Sequence, residues 1–98
     1  MEKIIKDGKV AVAISPGFGS GWSTWNDVHP CDARFNQLFL EGKYMEADEL
    51  ALELELGYGG GAYDVVIKWV DVGERFTIQE YDGSESLNMA SEFNWIEA

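Results

Sequence analysis

Two hydrophobic periods divide the chain. In 46–56, read Glu-Ala-Asp-Glu-Leu-Ala-Leu-Glu-Leu-Glu-Leu, the apolar residues Ala47, Leu50, Ala51 and Leu54 recur at i, i+3, i+4 and i+7. That is the spacing of one buried helix face. Ala, Leu and Glu are strong helix formers, and no β-branched residue interrupts them. Leu50, Leu52, Leu54 and Leu56 also alternate with Glu49, Ala51, Glu53 and Glu55, which is a strand pattern; propensity favours the helix. A second, shorter helix is predicted over 30–41. Phe35, Leu38 and Phe39 share a face there, Pro30 suits the first turn, Asp32 complements the N-terminus and Gly42 suits the stop.

Elsewhere the period is two. Residues 2–6 and 9–15 are strand-like and flank Asp7-Gly8, a strong hairpin signal. Val10, Val12 and Ile14 alternate with Ala11 and Ala13, so this strand is expected to be covered on both faces. A β-branched run at 63–70, an alternating run at 75–81, the tight turn Asp82-Gly83, and short strands at 86–90 and 94–96 complete the pattern. The fold class predicted is α+β: an antiparallel sheet of about five strands, an N-terminal hairpin plus a C-terminal meander, with two helices inserted between. At 98 residues this is a single acidic domain spanning 1–98.

Between the first strands and the helices lies 16–26, Pro-Gly-Phe-Gly-Ser-Gly-Trp-Ser-Thr-Trp-Asn. Its glycines permit positive φ and close backbone approach. Two readings follow. In one, Gly17, Gly19, Gly21, Trp22 and Trp25 bind a small molecule such as a nucleotide signal, with the tryptophans stacking on a base. In the other, favoured, reading the loop is ordered, and Phe18, Trp22 and Trp25 plug the core. The spacing is wrong for a dinucleotide fingerprint, and no lysine supports a P-loop.

Charge adds the main functional signal. In residues 1–40, Glu2, Asp7, Asp27 and Asp32 balance Lys3, Lys6, Lys9 and Arg34. The remaining fourteen of the eighteen acids face only Lys43, Lys68 and Arg75, so the whole net charge of −11 falls in residues 41–98. Solubility asks for a magnitude of only roughly 2–8 in a small domain. Apolar residues make up 46% of the chain, which argues for a folded core rather than an acidic disordered tail. Direct nucleic-acid binding is excluded by the lack of a basic footprint. A single cysteine, Cys31, excludes an internal disulfide and fits a reducing cytoplasm. No apolar run is long enough to span a membrane, and no signal peptide opens the chain.

The chemistry expected of the acids is recognition. Residues i and i+3 or i+4 on a helix lie roughly 5–6 Å apart at Cβ, a spacing close to that of successive phosphates on a nucleic-acid strand. Glu46, Asp48, Glu49, Glu53 and Glu55, extended by Asp64, Asp71, Glu74, Glu80, Asp82, Glu85 and Glu92, are the candidate anionic track. The partner implied is a protein with a basic DNA-binding surface. Glu80, Asp82 and Glu85 also invite a metal-assisted hydrolase reading, but they lack EF-hand spacing. His29 and Cys31 lack the constellation that nucleophilic catalysis needs. No catalytic residue, metal site or cofactor is expected, and a monomer is favoured.

Three patches carry a resemblance: Gly-Phe-Gly-Ser-Gly-Trp-Ser-Thr-Trp-Asn at 17–26, Glu-Tyr-Asp-Gly-Ser-Glu at 80–85 and Trp-Ile-Glu-Ala at 95–98. They look like a family of small phage and prophage proteins. Within that company the acidic balance resembles anti-CRISPR proteins that imitate double-stranded DNA. The resemblance implies a target such as the type I-C Cascade complex, occupation of the surface that reads DNA near the PAM, no catalysis, and residence in the bacterial host cytoplasm.

Overall fold

A computed structural model of the chain describes residues 1–57 and 60–90. The strand expected at 94–96 and the acid Glu92 fall outside them. The order is β1 (Ile5–Lys6), β2 (Lys9–Ile14), α1 (Trp22–Trp25), α2 (Ala33–Leu40), α3 (Tyr44–Glu53), a 3-10 turn (Ala62–Asp64), β3 (Val66–Asp71), β4 (Phe76–Tyr81) and β5 (Ser84–Met89). The class is α+β, with antiparallel strands throughout the described residues.

The five strands form two sheets, β1-β2-β3 and β4-β5. The expected continuous meander is therefore corrected. β3 pairs along its whole length with β2, from Lys9 opposite Asp71 to Ile14 opposite Val66, and β4 pairs with β5 instead. The sequence of β2 supplies the reason. With Val10, Val12 and Ile14 on one side and Ala11 and Ala13 on the other, all five buried, β2 needs cover on both faces. The β4–β5 hairpin packs on the sheet and lays Phe76, Leu87 and Met89 over Val10, Val12 and Val70. The helices cover the opposite face. There the small Ala13 leaves room for Trp22, Phe35 and Phe39, which pack with Ala47, Ala51 and Ala62.

Trp22 is the centre of the helical side. Its ring is fully buried and meets Phe35 and Phe39 edge-on at 5.5 and 5.2 Å. Each such pair adds roughly 0.5–1.5 kcal/mol beyond the area it buries. The expected core plug is thus one residue of three, since Phe18 and Trp25 are exposed. α2 starts later than predicted because Asp32 is itself the N-cap, its carboxylate accepting the Arg34 amide at 2.9 Å. Asn36 ties α2 to β2, its Nδ2 donating to the carbonyls of Ala11 and Pro30. α3 is a helix, as propensity indicated. It ends at Glu53, and Glu55 adopts φ 57° as the chain leaves.

Candidate interaction surface

The acids of the second half take three different environments. The first is burial. Glu85 on β5 is 1% exposed. Its Oε1 accepts the Ser15 amide and hydroxyl at 3.0 and 3.1 Å. Its Oε2 accepts the amides of Ser23 and Thr24 at 3.1 and 2.8 Å and their hydroxyls at 3.2 and 2.7 Å. A carboxylate with this many donors is held as an internal staple. Glu85 is therefore removed from the candidate track and from any hydrolytic cluster with Glu80 and Asp82. Among the described residues no group of three or more His, Cys, Asp or Glu side chains is placed to hold a metal ion.

The second environment is the rim of the glycine loop. The hairpin tip at Asp82-Gly83 docks on this loop. Gly19 N–H donates to the Asp82 carbonyl at 2.6 Å and Gly21 N–H to the Gly83 carbonyl at 2.7 Å. A Cβ on Gly83, where φ is +83°, would lie 2.7 Å from the Ser20 nitrogen. Of the candidate ligand loop, Gly19 and Gly21 thus bond the hairpin backbone, Gly17 lies against the Asp64 carboxylate, Trp22 is in the core and Trp25 is exposed. Around the loop the fold gathers three exposed acids. Asp64 accepts from the Ser20 hydroxyl, Glu80 accepts Trp25 Nε1–H at 2.6 Å, and Asp82 occupies the turn.

The third environment is the outer side of α3. Ala47 and Ala51 are fully buried and anchor the helix, while Glu46, Glu49 and Glu53 are exposed at spacings of three and four. Glu55 follows, also exposed. Among the described residues no Lys or Arg nitrogen lies within 4.0 Å of any of these four. α3 packs on the 3-10 turn that carries Asp64, and Tyr44 stacks on Tyr63 at 6.5 Å. Asp64 thus lies on the element against which the buried side of α3 packs.

Three further candidates stand apart. Asp48 is half-buried under α3. One of its oxygens lies in the interior with no hydrogen-bond partner. Burial pushes its carboxyl above the ordinary range, against an opposing hydrogen bond from the Ala62 amide. Asp71 sits at the far end of β3, roughly 16 Å from Val66 at a 3.3 Å rise, with Lys9 Nζ at 3.9 Å. Glu74 follows it in the next turn and is half-buried. The exposed acids thus fall in two groups, Glu46, Glu49, Glu53 and Glu55 along and just beyond α3 and Asp64, Glu80 and Asp82 around the glycine loop, while Asp48 is half-buried, Asp71 faces Lys9, Glu74 is half-buried and Glu85 is buried.

Neither His29 nor Cys31 forms a nucleophile pair. His29 Nδ1 accepts the Cys31 backbone amide at 3.0 Å. The buried Cys31 thiol is pushed above its ordinary pKa by desolvation, with the Lys3 charge opposing. A reactive cysteine needs the reverse shift. No helix among the described residues is long and apolar enough to cross a membrane.

Compared with family models, curated proteins and solved structures, the chain finds no match.

Proposed function

We propose that this protein is an acidic inhibitor that presents a DNA-like anionic surface to the basic DNA-binding surface of a CRISPR effector, of which type I-C Cascade is the candidate. It acts by occupancy, in the host cytoplasm, as a monomer and without catalysis. The observation that carries this reading is the row Glu46, Glu49 and Glu53. Its members are exposed, regularly spaced along a helix anchored by two buried alanines, and without an ion-pair partner among the described residues. Like charges at such spacing cost each pair a few tenths of a kcal/mol, so the row works against the helix that carries it. A basic partner relieves that repulsion and supplies the missing counter-charges. The loop-rim acids Asp64, Glu80 and Asp82 extend the negative field, and their hydrogen bonds to Ser20, Trp25 and Gly19 hold them to one rigid junction.

The test is the triple variant E46Q/E49Q/E53Q in a Cascade inhibition assay. Glutamine keeps shape and helix propensity and removes only charge. Inhibition is expected to fall at least tenfold while the circular dichroism stays that of the parent. Full inhibition by the folded variant would remove α3 from the contact.

A further inference from the structure

A second site lies on the other side of the hairpin. Between β4–β5 and the body runs a cleft of about 730 Å³, within the range of small-molecule sites. Its apolar wall includes Cys31, Phe76 and Ile78. Its polar lining includes two cations and the one histidine. Lys3, His29 and Arg75 all line it, although the chain carries only seven Lys and Arg and one His. Lys9, Arg34 and Lys43 are ion-paired elsewhere, whereas Lys3 and Arg75 have no carboxylate within 4.0 Å among the described residues. His29 Nδ1 already accepts the Cys31 amide, so the neutral imidazole carries its proton on Nε2 and offers a donor. Ser23 and Thr24 also reach the cleft, but both hydroxyl protons and both amides are committed to Glu85. Glu74 is the one carboxylate among the described lining residues.

We infer that this cleft binds a small organic anion with an apolar body and a single carboxylate- or sulfonate-like head. The apolar wall takes the body, and Lys3, Arg75 and His29 take the head. A local excess of cationic donors in a chain of net charge −11 opposes the protein's own long-range field, and solubility gives no reason for it. The site is separate from α3 and does not depend on the inhibitor reading.

The experiment uses the full chain with 1-anilinonaphthalene-8-sulfonate as a fluorescent probe. Saturable emission at one probe per chain is expected, displaced by hexanoate and far less by hexanol at equal concentration. K3Q and R75Q should each weaken hexanoate by about three- to tenfold, as the loss of one charge-assisted contact does. E74Q should tighten it, a direction that mere loosening of the fold does not produce. R75K serves as the folded control and should retain most of the affinity. Equal displacement by hexanol, or hexanoate affinity indifferent to K3Q, R75Q and E74Q in folded proteins, would overturn the inference.

Discussion

The Glu85 carboxylate receives the Ser15 amide at 3.0 Å across 70 positions of sequence, and the same carboxylate caps the first turn of α1 through Ser23 and Thr24. One buried side chain thereby joins the hairpin, the central strand β2 and the glycine loop. Removing it strands several buried donors at once. Glu85→Ala is expected to destabilise the fold by about 3–5 kcal/mol, the scale for breaking one side of a buried charged network. Glu85→Gln keeps one acceptor oxygen and should lose less. Thr24→Val removes a single hydroxyl and should lose about 1 kcal/mol. Urea denaturation orders the three.

The docking of the hairpin tip makes Gly83 and Gly8 an informative pair. Both lie at positive φ in Asp-Gly turns. A Cβ at Gly83 would strike the Ser20 and Gly19 backbone, whereas at Gly8 it meets nothing within 4 Å. Gly8→Ala is expected to cost about 1 kcal/mol from backbone strain alone. Gly83→Ala should cost clearly more and release the Trp25 indole from its bond to Glu80 across the same junction. Thermal melts and tryptophan emission distinguish the two.

Two carboxyls at successive helices respond to acid in opposite directions. Burial alone would raise the Asp32 carboxyl, but the Arg34 hydrogen bonds and charge outweigh it and hold Asp32 below its ordinary range. Its contribution is present above the unfolded-state pKa of about 3.9 and is lost as pH falls through the lower folded value. Asp32→Ala should cost about 1 kcal/mol at neutral pH as a lost N-cap, with the gap closing in acid. Asp48 is raised by burial, so the native state holds its proton to higher pH than the unfolded chain, and its ionisation opposes folding at neutral pH. Asp48→Asn should raise Tm at pH 7, and that advantage should shrink as pH falls from the raised native value to the ordinary aspartate pKa, below which it is gone. Melts of both variants from pH 7 to pH 3 check the signs.

Cys31 is 3% exposed and its thiol is held protonated by burial. Alkylation by iodoacetamide at neutral pH should therefore be slow in the native chain. It should accelerate to the rate of a free thiol in denaturing urea. Fast native labelling would contradict the packing of Cys31 against Val10 and Val70.

What the sequence made legible were features that local chemistry decides. Asp7-Gly8 and Asp82-Gly83 adopt positive φ at both positions, as such turns require. The double-sided apolar pattern of β2 correctly foretold cover on both faces. The α3 helix followed from propensity. The sheet partition did not follow, because periodicity shows that β3 and β4 are strands but not which neighbour each selects. The role of Glu85 was hidden for a related reason. Within 80–85 it reads as one acid among several, and its donors come from residues 15, 23 and 24. Glycine content flagged 17–21 correctly as a place of close approach, but the approaching group is the hairpin backbone. The cleft was illegible, since Lys3, His29 and Arg75 meet only where the β4–β5 hairpin packs on the body.

If the exposed carboxylates stand in for DNA, this protein and target DNA compete for one surface of the effector. The direct measurement is binding of labelled target DNA to type I-C Cascade while this protein is titrated in, at low and at physiological salt. Mutually exclusive binding is expected, with capture by the protein slowing as salt rises and the Debye length falls to about 8 Å. A stable ternary complex of Cascade, target DNA and this protein, with DNA affinity unchanged, would contradict it.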